Sequence, residues 1–138
     1  MVKIGDIEVP EELYYSKDNF WVRLEKDKAR VGLTDYAQQI LKSIVYADLP
    51  RAGTEVKQSE VCGSVESVKA VADLMCPLSG KVSESNGEVE ANSGLINDDP
   101  YQKGWLFIIE PSNLNTELTN LMDFNRAAEW HKTLADRK

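Results

Sequence analysis

Histidine is nearly missing from this 138-residue chain, which has one, at position 131, and cysteine occurs twice, at 62 and 76. With no second histidine and no C-x-x-C pair, the usual spacings of a zinc site or a dithiol redox motif are absent. His131 stands apart from any cysteine or histidine partner and reads as a surface or helix-cap residue. There is no Gly-rich phosphate loop, Ser/His/Asp pattern or nucleophilic Cys/His pair, so the chain carries little with which to catalyse a reaction itself. No apolar run approaches the length of a membrane helix, and the start Met1-Val2-Lys3-Ile4-Gly5-Asp6 lacks the apolar stretch of a secretory signal. A soluble, intracellular protein is expected, with no membrane partner. Basic charge is scarce as well: 16 Lys and Arg against 23 Asp and Glu leave a net charge of −7, without a basic patch interleaved with aromatics. That balance argues against a nucleic-acid partner, and serves solubility or steering toward basic protein surfaces.

What is present is one domain's worth of chain, 1–138, long enough to bury a core without staples. Residues 2–9 alternate around Gly5 as a short strand or small hairpin, within a 12-residue N-terminal extension. Phe20–Leu24 and Ala29–Leu33 read as a strand and its return across a charged turn. Thr34 has the chemistry of a helix N-cap, and Ala37, Ile40, Leu41 and Ile44 fall on one helical face. The β-rich stretch Ile44–Leu49 ends at Pro50, and Thr54-Glu55-Val56 follows a Pro/Gly turn. Asn86-Gly87 is the strongest short hairpin signal, and the apolar run 104–110 should be a central strand. From Ser112 to the end the pattern turns helical, over 115–122 and then 126–135, with a break near Asp123.

The stretch Val65-Glu66-Ser67-Val68-Lys69-Ala70 organises the rest. Residues 60–66 alternate as a half-buried strand, and Asp73-Leu74-Met75 leads to the turn and strand start Pro77–Val82, which sets Lys69 at a hairpin tip. A tip holds an amine in solvent on a stiff support, suited to a group modified by one enzyme and then presented to others. Cys62 and Cys76 fall on opposite arms of this hairpin. A turn centred on Lys69 pairs 62 with 76, a two-residue Val68-Lys69 turn pairs 62 with 75, and the second, with free thiols, is preferred.

Glu66-Ser67-Val68-Lys69-Ala70, Asp73 and Pro77–Val82 together resemble the lipoyl-attachment hairpin of the glycine cleavage system H-protein family. The likeness spans about residues 13–125, through Tyr15-Ser16-Lys17, Trp21-Val22, Val31–Thr34, Ala37-Gln38, Asp48-Leu49-Pro50, Leu95-Ile96-Asn97, Asp99-Pro100-Tyr101 and Gly104-Trp105. It implies a β-rich α+β fold, a lipoyl/biotinyl-type flattened β-barrel (barrel-sandwich hybrid) with a short helix after the N-terminal strands and C-terminal helices. It implies lipoate in amide linkage on Lys69, with Glu66, Ser67, Val68, Ala70 and Asp73 as the cofactor-bearing neighbourhood. The protein would then be a carrier rather than an enzyme. An unperturbed lysine is protonated near neutrality, so a lipoate-attaching enzyme must activate the acyl donor. Dihydrolipoyl dehydrogenase would reoxidise the arm.

Two places depart from the family pattern. Where glycine-cleavage members usually read His-Glu-Trp, this chain has Asn19-Phe20-Trp21, and Tyr36 stands where a histidine is usual. The glutamate replaced by Phe20 helps hold the amine of the loaded arm in that family, whereas the aspartate matching Asp73 is retained. Asn19, Phe20 and Tyr36 are therefore expected beside the arm, with cation–π contact in place of one carboxylate. On this reading the preferred client is the heterodisulfide-reductase-like complex of sulfur oxidation, served by a similar lipoate-binding branch. The alternative is glycine cleavage, with glycine decarboxylase and aminomethyltransferase as partners. A non-lipoylated scaffold relative, a free-standing enzyme and a biotin carrier are the remaining readings; biotin hairpins usually place methionines beside the lysine, where Val68 and Ala70 stand here. The compartment expected is the cytoplasm, or the mitochondrial matrix in a eukaryote.

Overall fold

In the computed structural model, which describes residues 2–137, Val2–Ile4 (β1) and Ile7–Val9 (β2) pair as an antiparallel hairpin around Gly5, whose φ of +63° the turn requires. The short strand Tyr14–Tyr15 (β3) then edges a larger sheet. Alternation in the next segment gives Phe20–Glu25 (β4) and Lys28–Leu33 (β5), paired in full register from Phe20 opposite Leu33 to Glu25 opposite Lys28. Thr34 caps the helix Asp35–Leu41 (α1) by accepting the Ala37 N–H on its hydroxyl, as its sequence position predicts.

Ile44–Asp48 (β6), Glu55–Val56 (β7), Val61–Ser67 (β8), Val71–Met75 (β9) and Gly80–Ser85 (β10) follow, and Phe107–Pro111 (β11) closes the strand set. The larger sheet has six strands in the order β3-β4-β5-β11-β10-β7, and a separate three-stranded sheet runs β6-β8-β9. As the hydrophobic run implied, β11 is central, between β5 and β10. One cluster of buried side chains, including Phe20, Val31, Val65, Leu74, Leu78, Phe107 and Ile109, draws on both sheets. Burying this apolar surface is the main force holding them face to face.

Asn86-Gly87 does not form a hairpin turn. Asn86 instead N-caps the short helix Gly87–Ala91 (α2), accepting the Glu88 N–H, while its amide nitrogen donates to the carbonyls of Lys103 and Trp105. The same Asn chemistry suits turns and caps, and the partners across the chain decide for the cap. A second short helix, Leu95–Asp98 (α3), comes next. The C-terminal helices are Leu114–Leu118 (α4) and Phe124–Arg137 (α5), the first shorter than its pattern predicts because Met122 pairs with Tyr15 as an isolated bridge.

A second cluster forms where α5 lies on the N-terminal hairpin: Ile7, Val9, Leu13, Tyr15, Trp21, Tyr101, Met122 and Ala127. His131 is part of this layer, not of the surface. It is fully buried, with Nδ1 2.7 Å from the Ala127 carbonyl and Nε2 without a hydrogen-bond partner among the described residues, and the rings of Tyr15, Tyr36 and Trp130 surround it edge-on. Burial therefore holds its pKa below the ordinary histidine value. No helix among the described residues is long and apolar enough to cross a membrane.

Candidate functional site

Strands β8 and β9 pair from Glu66 opposite Val71 downward, and the Ser67 N–H donates to the Ala70 carbonyl at 2.8 Å, leaving Val68 and Lys69 as a two-residue loop. Such loops ordinarily need positive φ angles. None of residues 68–70 has one. The Ser67 side chain takes over that work: 6 % exposed, its Oγ accepts from the Lys69 N–H at 3.2 Å and the Ala70 N–H at 3.1 Å. Ser67 thus turns the chain without glycine, and both loop side chains point to solvent.

The tip is also held from outside the hairpin. The Val68 N–H donates to the Ser43 carbonyl at 2.9 Å. Ser43 lies in the link between α1 and β6, where Lys42 adopts φ +66°, ψ −152°, a region normally reserved for glycine. Asn97 of α3 overrides that strain. Its Oδ1 accepts the Ile44 N–H and its Nδ2 donates to the Lys42 carbonyl, each at 2.8 Å. A chain of bonds therefore runs from α3 through this link to the backbone beside Lys69.

Lys69 itself is exposed, and its amine makes no hydrogen bond or ion pair with the described residues. The exposed apolar side chains Val45, Tyr46, Val68 and Val71 surround it, with Glu66 between Tyr46 and Val71 on the adjoining strands. An extended acyl group added there meets no steric barrier at the tip.

Along β9, four residues from Lys69 and so on the order of 13 Å away, Asp73 stands at the rim of a groove of about 140 Å³. Leu33, Ala37, Leu41, Val65 and Leu74 give it an apolar floor, and Asp18 and Asn19 line its other side. The turn before β4 explains that arrangement. Asn19 takes φ +72°, which asparagine tolerates, and its carbonyl accepts the Thr34 N–H at 2.9 Å. The twist turns Asp18 outward and Phe20 inward.

Phe20 is accordingly fully buried, ring to ring with Phe107 in the main core, and is absent from the groove lining. A charged group in the groove has no access to its face, so the cation–π contact expected at this position does not exist. Tyr36 also faces elsewhere, against His131 in the terminal layer. Only Asn19 of these three lines the groove. Asp18, Ser43 and Asn97 are the contributors that sequence reasoning did not assign to the site. Asn97 was visible only within Leu95-Ile96-Asn97, one stretch of the family likeness, and nothing local marked Ser43, since its role is carried by a backbone carbonyl.

At the opposite end of the hairpin the register slips. Val61 lies opposite Met75 and Gly63 opposite Leu74, so Cys62 is the extra residue of a bulge. The two-residue turn holds, but the bulge replaces the simple pairing of 62 with 75. Both cysteines are thiols in this structure, Cys76 buried and Cys62 half-buried.

A family model described as Glycine cleavage H-protein matches residues 13–134. The chain is 46 % identical over 135 residues to a probable glycine cleavage system H protein of Pyrococcus abyssi, covering 97 % of this chain and 100 % of that one. It is 45 % identical over 123 residues to the glycine cleavage system H protein of a Geobacillus species, covering 89 % and 96 % respectively. Among solved structures, it is similar to the crystal structure of a glycine cleavage system H protein from Mycobacterium marinum, with a TM-score of 0.82 and 31 % identity over 89 % of this chain and 98 % of that one. The β-rich architecture with its flattened, barrel-like pair of sheets is the one these relatives imply.

Proposed function

The chain belongs to the glycine cleavage H-protein family, and on that premise we propose that Lys69 is the residue that bears its lipoate and that its client is glycine cleavage. Membership makes the protein a lipoate carrier and not a catalyst. The observation that carries the assignment to Lys69 is the tip itself: a solvent-exposed, unpartnered amine on a two-residue loop whose backbone is fixed by Ser67 from within and Ser43 from without. When bound, lipoate supplies a dithiolane on a long tether, able to take up a fragment or electrons at one active site and release them at another.

The residues around the tip support three tasks. Val45, Tyr46, Val68 and Val71 offer an apolar face that a lipoate-attaching enzyme and the later partners cover in turn. Ser67 and Ser43 limit the positions of the Lys69 backbone, so less orientational freedom is lost at each docking. The groove beside Asp73 gives a resting surface with an apolar floor and carboxylates on two sides.

That groove favours glycine over sulfur intermediates as the cargo. The absence of a glutamate at position 20 had argued the other way. With Phe20 folded into the core and Asp18 turned onto the groove, two carboxylates, Asp18 and Asp73, line the place where a cationic amine would need neutralising. A neutral or anionic sulfur cargo gains nothing from them. The relatives named above are likewise glycine cleavage proteins. The partners we propose are therefore glycine decarboxylase, aminomethyltransferase and dihydrolipoyl dehydrogenase, besides the attaching enzyme, in the cytoplasm.

The test is the intact mass of enzymatically lipoylated protein before and after incubation with glycine and a competent glycine decarboxylase. A gain equal to the glycine-derived aminomethyl fragment, absent with Lys69→Arg and reduced with Asp18→Asn, is the expected result. Lipoylated protein that stays unloaded while an ordinary H-protein loads beside it would overturn the glycine client. Lipoylation of Lys69→Arg, or none of the wild type, would overturn the assignment to Lys69.

A further inference from the structure

The carrier function leaves the two thiols at the base of the hairpin unused. The bulge at Cys62 turns that residue toward the end of β9, where the Cys76 N–H donates to the Glu60 carbonyl at 2.9 Å and the Ser59 N–H to the Cys76 carbonyl at 2.8 Å. These bonds clamp the two backbones together beyond the slip in register. The two thiols therefore sit on adjoining arms of the hairpin, one residue to either side of the Val61–Met75 pair, the Cys62 S–H donating to the Leu74 carbonyl at 3.5 Å and the Cys76 S–H to the Leu78 carbonyl at 3.2 Å. Both also pack on the main core, and no group of three or more His, Cys, Asp or Glu that could hold a metal ion forms among the described residues.

The pair is asymmetric in access. Cys76 is 1 % exposed. Cys62 lines a cleft of about 590 Å³ bordered by Glu55, Lys57, Glu60, Ser79 and Glu117. Glu117 accepts hydrogen bonds from the Ser79 N–H at 2.7 Å and hydroxyl at 2.6 Å, which fixes the cleft wall. Three carboxylates against one lysine make this cleft unfavourable for an anionic reagent.

We propose that Cys62 and Cys76 are a redox-active dithiol, closed to an intramolecular disulfide by a small uncharged disulfide that enters this cleft. The two thiols titrate as a pair: the neighbouring Cys62 thiol holds Cys76 below the ordinary thiol value, and Cys76 together with burial pushes Cys62 above it. A proton passing from Cys62 to an ionised Cys76 puts the thiolate on the accessible sulfur. Cys62 then attacks the reagent RSSR, forming a Cys62–SR bond and releasing RS⁻. Cys76 loses its proton and attacks the Cys62 sulfur, forming the Cys62–Cys76 bond and releasing the second RS⁻. The two thiol hydrogens leave on two RSH molecules, and the two electrons from the cysteines reduce the reagent. The disulfide closes a loop with Lys69 at its far end and fastens the hairpin base.

The reaction does not depend on the Lys69 reading, and its test removes that residue from the count. Folded full-length protein carrying Lys69→Arg is incubated with 2-hydroxyethyl disulfide or with glutathione disulfide, and followed by intact mass and peptide mapping. The expected result is loss of two hydrogens, a cross-linked Cys62–Cys76 peptide and no retained adduct, reached several-fold faster with the uncharged reagent. Cys76→Ser should stall with one adduct on Cys62, and Cys62→Ser should leave Cys76 unreacted. Oxidation should raise the Tm by several degrees, reversed by reduction. Two independent adducts on the Cys62/Cys76 protein would overturn the proposal, as would two free thiols in folded protein under conditions that modify the unfolded chain. Equal or faster reaction with glutathione disulfide would overturn the cleft as the entry route.

Discussion

The hairpin tip and the terminal layer of this protein are built on opposite terms. At the tip, order comes from backbone hydrogen bonds and one buried hydroxyl, while Val68, Lys69 and Val71 stand exposed. In the terminal layer, order comes from aromatic bulk: Trp21 packs against Tyr101, and Tyr15, Tyr36 and Trp130 close around His131, leaving one ring nitrogen without a partner among the described residues. A side chain that must be visited by other proteins has to be left outside, so its position is fixed through its main chain. A layer with no such duty can spend its polar groups poorly and recover the loss by burial.

The largest test of this division is Lys69→Arg. It should abolish lipoylation altogether, read as the absence of the lipoyl mass, and change stability by less than about 0.5 kcal/mol, as exposed substitutions do. Trp21→Ala is the counterpart. Its ring is fully buried, its Nε1 donates to the Pro100 carbonyl at 2.9 Å, and it fills the space over Gly32. Truncation should cost about 3–5 kcal/mol in urea unfolding, yet leave the lipoylation rate per folded molecule unchanged. A large fall in that rate would mean the two regions are coupled.

Ser67→Ala sharpens the comparison from the tip side. With the acceptor for the Lys69 and Ala70 N–H groups gone, we expect a loss of about 1–3 kcal/mol and a drop in lipoylation kcat/KM of roughly tenfold. Asn97→Ala should cost less, about 1 kcal/mol, because Asn97 is itself only half-buried, whereas Ser67 is buried. Its signature is faster hydrogen exchange at the Val68 amide, with amides of β4 and β5 unaffected.

The smallest effect is a pH slope confined to the terminal layer. The folded state holds His131 below its unfolded pKa of about 6.5, so below that pH the unfolded chain binds the extra proton first. Stability is therefore complete above about pH 6.5 and declines as the pH falls toward the folded-state value. Urea midpoints measured across this range should fall for the wild type and lose part of that slope in His131→Leu.

Much of the fold was legible because its signals are local. Thr34 caps α1 with its own hydroxyl, alternation over 20–33 sets β4 and β5, and the apolar run at 104–110 can only be a buried strand. Asn86-Gly87 misled because asparagine serves a turn and a cap equally well; the carbonyls that decide, of Lys103 and Trp105, lie far along the chain. His131 misled for a related reason. A lone histidine on an amphipathic helix looks like a boundary residue until the rings of β3 and α1 close over it.

By itself the sequence determined that a lysine sits at the end of a strand pair, with a helix and a sheet to support it, since period-two alternation and capping chemistry depend on neighbours within a few residues. Tertiary structure alone decided what surrounds that lysine. The direction of Asp18 and Phe20 follows from one left-handed residue, Asn19; the grip of Ser43 on Val68 follows from a strained link held by Asn97; and the placing of Cys62 and Cys76 to either side of the Val61–Met75 pair follows from one extra residue in β8. Each depends on backbone groups brought together from distant parts of the chain. A carbonyl is the same in every residue, so no side-chain pattern records where it will be used.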